Sequence, residues 1–219
     1  MIRVYEILKN LLASSLPGEP AQNLMSPSVR FTGSVMPCKD LMRSSSVLLL
    51  LYPKNGKVYF PLIKRPNYPG VHGGQVSLPG GGCEECDNSY WETSLRESNE
   101  ELGITTRDIL FAGALSPLYI PNSNYMVYPQ VGIATKELLF YPDRDEVDEV
   151  IELPLSVLFD NKYKSHFTCN INGHNIEAPC YLYKDRAVWG ATAMMLSEFA
   201  VLSSKESCTI TNLTHSCND

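Results

Sequence analysis

Three glutamates, Glu97, Glu100 and Glu101, stand at i, i+3 and i+4. On a helix that spacing makes their carboxylates neighbours, and like charges so placed cost about 0.2–0.5 kcal/mol per pair. A hard divalent cation reverses the cost, because oxygen ligands are what Mg²⁺ prefers. Arg96 precedes Glu100 by four residues and can hold a carboxylate through a charge-assisted hydrogen bond. The plain alternative is an acidic, solvated helix face, which is common. Three features weigh against it. A glycine-rich segment, Gly80-Gly81-Gly82, leads toward the stretch, an arginine sits inside the cluster, and Gly103 closes it.

A helix is what the local signals predict. Ser89 and Glu92 form an S-x-x-E capping box, and Gly103 tolerates the left-handed position past a helix end. The helix therefore runs from Tyr90 to Leu102. At 100° per residue, Trp91, Leu95, Ser98 and Leu102 form its packing side. The three carboxylates are expected well away from that side.

The remaining elements must hold this helix. Residues 2–13 read as a short helix with Val4, Ile7, Leu8, Leu11 and Leu12 on one side. Residues 14–28, rich in Pro, Ser and Gly, read as an extended connection. Residues 46–52 and 58–63 read as strands of a hairpin turned at Asn55-Gly56, since both residues accept positive φ. Gln75 to Leu78 reads as a short extended piece. Strands are expected at 109–115, 125–134 and 149–153, followed by a short helical segment near 155–159. A second hairpin is expected from 167–171 and 175–183 around Asn172-Gly173. Arg186 to Ser204 reads as a terminal helix. The chain then divides into an N-terminal helix and connection (1–45), a main α/β domain (46–204) and a flexible tail (205–219).

Composition bounds the partners. The chain of 219 residues is 44% hydrophobic and 19% charged, enough apolar material for a core. Its net charge of −6, from 18 basic and 24 acidic side chains, argues against nucleic acid, which needs basic clusters. A small anionic substrate stays open, since a bound metal reverses the local field. No targeting segment is evident: Arg3, Glu6 and Lys9 interrupt the first apolar pattern. The run Val47 to Tyr52 is too short to span a bilayer. A cytoplasmic protein without a membrane partner is expected, and a homodimer is compatible with the composition. The seven cysteines are odd in number and scattered. Cys83 and Cys86 form a C-x-x-C without a second pair, so they read as plain loop thiols rather than a zinc site.

Arg96-Glu97-Ser98-Asn99-Glu100-Glu101-Leu102-Gly103-Ile104 resembles the R-E-U-x-E-E-x-G-U half of the Nudix box, where U is apolar. Ser98 departs from the apolar U on the packing side. Eight residues before Arg96 stands Asn88 instead of the usual glutamate, with Asp87 one place off. That shift is similar to a subgroup, the coenzyme A pyrophosphatase-like Nudix hydrolases. Lys64-Arg65 and His72-Gly73-Gly74-Gln75-Val76-Ser77-Leu78-Pro79-Gly80-Gly81 also resemble this subgroup's K-R…H-x-G-Q-V-S-F-P-G-G element. So do the stretches Glu146 to Leu155 and Trp189 to Thr192. Leu78 stands in place of Phe, and Gly70 where the subgroup often has Arg.

The resemblance implies a Nudix-type α/β/α sandwich with a mixed β-sheet. It implies Mg²⁺ or Mn²⁺ held by Glu97, Glu100 and Glu101, with Arg96 in the catalytic set. The reaction implied is attack of water on one phosphorus of a diphosphate in a small nucleotide substrate, with the metal neutralising charge. Coenzyme A or a derivative is the first substrate expected, giving 3′,5′-ADP and 4′-phosphopantetheine. ADP-ribose, dinucleotides and nucleoside triphosphates are the alternatives, as is a catalytically silent ligand-binding module.

Lys64, Arg65, His72, Gln75, Gly80 and Gly81 are the substrate-binding candidates. Glu146 or Glu149 can supply a late carboxylate, and Glu97 and Glu146 are the candidate bases. Tyr119, Tyr125 and Tyr128 could stack on an adenine ring, although aromatics in strand patterns are more often core.

Overall fold

The computed structural model describes residues 1–28, 42–66, 74–171 and 174–213, with the backbone alone at 169–171 and 174–176. In chain order the helices and strands are α1 (Ile2–Leu12), α2 (Gly18–Gln22), β1 (Arg43–Lys54), β2 (Lys57–Lys64), β3 (Val76–Ser77) and β4 (Gly80–Gly82). Next come α3 (Tyr90–Leu102), β5 (Ile109–Ala114), β6 (Leu118–Ile120), β7 (Tyr125–Ala134) and β8 (Glu149–Pro154). The chain continues through β9 (Lys164–Ile171), β10 (His174–Tyr183), β11 (Arg186–Trp189), α4 (Gly190–Leu202) and α5 (Ser207–Thr211).

Eight strands form one mixed sheet in the order β3-β2-β1-β7-β5, with β4 on β1, β6 on β7 and β8 on β2. β1 and β7 run parallel, with Val47 opposite Pro129 and Leu51 opposite Ile133. The other pairings are antiparallel. Strands β9 to β11 make a separate three-stranded sheet.

The uninterrupted apolar run of β1 follows from burial of both its faces. Leu49 and Leu51 join Val131 and Ile133 under α1 and α4, with Val4, Leu8, Leu196 and Phe199. Leu48, Leu50 and Tyr52 face the other way, with Leu102 and Ile104 at the end of α3. The molecule is thus helix, mixed sheet, helix. The hairpin between β1 and β2 turns where the sequence places it, with Asn55 at φ 50° and Gly56 at φ 71°.

Three expectations are corrected. Residues 14–28 are not extended: they hold α2 and a 3₁₀ turn at Asn23–Met25, because Ala21, Gln22 and Met25 are buried. The terminal helix begins at Gly190, four residues late. Arg186–Trp189 pairs with β10 instead, and Gly190, at φ 64°, breaks strand from helix. The short helical segment expected near 155–159 is present as a 3₁₀ helix, Leu155–Leu158. The stretch after 204 does not trail off through residue 213: a 3₁₀ turn leads into α5, Ile210 is fully buried, and Asn212 bridges to Lys57. Strands β4 and β6 have no counterpart in the sequence reading. Among the described residues no helix is long and apolar enough to cross a membrane.

Candidate active site

Helix α3 starts and stops at the residues its sequence marks. Ser89 Oγ accepts from the Glu92 backbone N–H at 3.2 Å. Gly103 sits in the left-handed region at φ 62°, and its N–H donates to Asn99 O at 2.8 Å. After β7 the chain crosses the end of this helix. Tyr141 N–H donates to Leu102 O at 2.8 Å and Asp143 N–H to Glu101 O at 3.2 Å, satisfying carbonyls a helix end leaves open. The same crossing carries Glu146, exposed, whose charge adds to the burial that raises the pKa of both Glu97 and Glu101.

The three box glutamates have three different environments. Glu100 is half exposed and lies 3.0 Å from Arg96 Nη1. Glu97 is 16% exposed and lies 3.1 Å from the same nitrogen. Its carboxylate lies over Gly81, where a Cβ would come within 2.4 Å of it. Burial raises the Glu97 pKa, against the pull of Arg96. Glu101 is only 1% exposed, although the helix wheel sets it away from the packing side of α3. Its Oε2 accepts from Gly80 N–H at 2.8 Å and its Oε1 from Arg65 Nη2 at 3.2 Å. Burial pushes its pKa up to about 8, opposed by Arg65 and the Gly80 N–H and reinforced by Glu97 and Glu146. A sequence wheel misses this because β4, which closes over Glu101, is three glycines with no periodic signal.

Arg96 is the hub. Its Nε and Nη2 take the two oxygens of Asp87 at 3.1 and 2.9 Å, Nη2 also reaches Gly82 O at 3.0 Å, and Nη1 reaches Glu97 and Glu100. Asp87 is the functional residue the sequence reading left unassigned. Arg96 first of all holds its carboxyl down to about 2, helped by the Glu84 N–H and Thr93 Oγ1. The turn in which Asp87 N–H donates to Glu84 O at 3.1 Å aims its carboxylate. Asn88, which occupies the usual glutamate position, instead donates twice to Glu92. The signal available was a carboxylate nine residues before Arg96.

The expected phosphate-binding cations are committed to acids. Lys64 Nζ pairs with Asp148, and Arg65 with Glu101 and Gly80 O. Glu149 pairs with Arg186 at 2.9 Å. Gln75 lies beside Arg65, whose N–H donates to Gln75 O at 3.1 Å. His72, Gly73 and Gly70 lie outside the described residues. Tyr128 stacks on Tyr90 at 3.7 Å, the ring of Tyr125 carries the Arg43 guanidinium, and the Tyr119 hydroxyl donates to Asn124. Cys83 is half-buried and Cys86 exposed, both free thiols.

The NUDIX domain family matches residues 42–168, more than half of the chain. The chain belongs to the Nudix family. It is 32% identical to the human mitochondrial coenzyme A diphosphatase NUDT8 over 179 residues, 75% of each chain. It is 35% identical to the uncharacterized Nudix hydrolase NudL of Pectobacterium atrosepticum over 132 residues, 59% of this chain and 67% of that one. Among solved structures, a MutT/nudix family protein from Enterococcus faecalis superposes with a TM-score of 0.45 at 17% identity, over 93% of this chain and 73% of that one. The chain is accordingly a Nudix pyrophosphohydrolase, and α3 with the loop before it lies within the matched segment.

For a metal, the chemistry of the donor set fits. Glu97 and Glu101 are carboxylates whose burial and mutual repulsion already disfavour their charge, and a hard cation relieves both. Among the described residues, however, no three acidic, histidine or cysteine side chains converge at metal-ligand spacing. Glu97 and Glu100 are turned to Arg96, and Glu101 to Arg65 and Gly80.

Proposed function

We propose that this Nudix enzyme hydrolyses the diphosphate of coenzyme A or a derivative, yielding 3′,5′-ADP and 4′-phosphopantetheine, with Mg²⁺ or Mn²⁺ held by Glu97, Glu100 and Glu101. The observation that carries the reading is the Glu97–Glu101 pair closed over by β4. It places two desolvated carboxylates and one clamped arginine against a strand of bare backbone. The similarity to a coenzyme A diphosphatase supports the substrate. The cation would neutralise phosphate oxygens and lower the pKa of the attacking water.

The chain's own residues do the rest. Asp87 locks the Arg96 side chain, and Arg96 in turn fixes Glu97 and Glu100. Gly80 and Arg65 fix Glu101. Water attacks one phosphorus, the bond from that phosphorus to the bridging oxygen breaks, and the second phosphate leaves. Glu97 or Glu146 takes the water's proton. Lys64, Arg65, His72, Gln75, Gly80 and Gly81 form the substrate side in this reading. We place the reaction in the cytoplasm.

The test compares kcat/KM for coenzyme A, dephospho-coenzyme A and ADP-ribose. Coenzyme A should lead, with dephospho-coenzyme A poorer by about tenfold, the scale of one lost charge-assisted contact. If ADP-ribose leads, the substrate is wrong while the hydrolase stands.

A further inference from the structure

The described cations around the carboxylate cluster already face acids, and Lys64 and Arg65 are assigned above to the diphosphate side of the substrate. Lys64 faces Asp148, Arg65 faces Glu101, and Arg96 serves Asp87, Glu97 and Glu100. A substrate with more phosphate than the diphosphate itself needs a further cation for the additional charge.

Arg43 meets the requirement. It opens β1, is exposed, and has no carboxylate within ion-pair distance among the described residues. Its Cζ lies 4.5 Å over the Tyr125 ring, and Tyr125 is also its register partner on β7. Its backbone N–H donates to Asn124 O at 3.0 Å, which anchors the strand end. A guanidinium over an aromatic ring keeps its charge and its N–H donors available to an anion. Among the described residues this one has a ring beneath it and no carboxylate beside it.

Arg43 and Tyr125 stand on the far side of β4 from the cluster. Ser45, two residues along β1, pairs with Gly82, the end of β4. The Tyr125 hydroxyl lies 3.8 Å from where a Cβ on Gly82 would sit. Gly81, the next residue, lies against Glu97 on the opposite face of the strand. Since β4 carries no side chains, only backbone separates the Tyr125 side from the Glu97 side at this point.

We propose that Arg43, seated on Tyr125, binds a phosphomonoester of the substrate that is separate from the diphosphate being cut. The proposal rests on the coenzyme A reading, under which the group is the 3′-phosphate. Arg43 is a specificity residue and takes no part in the bond-breaking step.

The test uses Arg43→Gln and Arg43→Lys in the full chain, with melting curves as the folding control. For each protein KM and kcat are measured with coenzyme A and dephospho-coenzyme A, and affinity with 3′,5′-ADP and 5′-AMP. Arg43→Gln should raise KM for coenzyme A about tenfold with kcat little changed, the scale of one charge-assisted contact. KM for dephospho-coenzyme A should not move, and the preference for 3′,5′-ADP over 5′-AMP should vanish. Arg43→Lys, which keeps the charge but loses the planar fork, should fall between. Equal effects on both substrates, or no effect on either, would overturn the proposal and leave Arg43 a strand-end contact. If the wild type cuts another diphosphate and not coenzyme A, the substrate reading fails, and the binding arm decides separately. A 3′-phosphate preference lost in Arg43→Gln then supports the phosphomonoester site, and no preference in the wild type overturns it.

Discussion

Glu101 concentrates the tension between stability and function in one side chain. It is buried, and its pKa is raised from 4.5 to about 8. A carboxyl whose folded pKa lies above its unfolded value binds its proton more tightly when folded. Its contribution to stability is fully present below pH 4.5 and is lost as pH rises through 8. Glu101→Gln removes the titration and can still accept from Gly80 N–H. Without metal, this variant should melt higher than wild type near pH 8, and the difference should shrink toward pH 4.5. Activity should fall by at least ~100-fold, the scale for losing a charge-stabilising group. Parallel melting curves across that range would show that the burial of Glu101 costs nothing. The sequence identifies Glu101 by spacing but not its burial, because its partner Gly80 is distant in sequence and close only in the fold. The same holds for Asp87, whose role depends on a turn that Glu84 closes.

At the scale of elements, α3 was legible almost residue for residue, because Ser89, Glu92 and Gly103 act on neighbours within four positions. The hairpin at Asn55-Gly56 was legible for the same reason. β4 was not. Its three glycines have no pattern, and it is a strand only because Gly80, Gly81 and Gly82 pair with Val47, Ser46 and Ser45. Its bareness matters to α3. A methyl on Gly81 would lie 2.4–2.5 Å from the Glu97 carboxylate, closer than contact allows. Gly81→Ala should therefore displace Glu97 and cut kcat steeply, while circular dichroism stays that of wild type. A variant with normal kcat would mean that Glu97 moves freely and that its place over β4 is irrelevant to catalysis.

For the molecule as a whole, the N-terminal segment is part of the core. Leu8 is fully buried against the sheet, and Glu198, also fully buried on α4, accepts from Gly18 N–H and Ser116 N–H at 3.2 Å and Gln22 Nε2 at 2.8 Å. The amphipathic pattern of residues 2–12 announced α1, but nothing local shows that a glutamate 180 residues downstream will hold Gly18. Glu198→Gln leaves one acceptor oxygen where two served and turns an amide toward donors. It should cost about 1–3 kcal/mol, read as a lower urea midpoint. An unchanged midpoint would mean that this clamp adds nothing to the core packing. The fold sets β4 against α3 and the 141–143 segment against its C-terminal end, and the direct test of the site they form is chemical. The purified protein is incubated with coenzyme A, with Mg²⁺ or with chelator, and the products are weighed by mass spectrometry. The account predicts 3′,5′-ADP and 4′-phosphopantetheine with Mg²⁺ alone, and neither from Glu101→Gln at the same enzyme concentration. Equal cleavage in chelator, or intact coenzyme A with Mg²⁺ present, would contradict it.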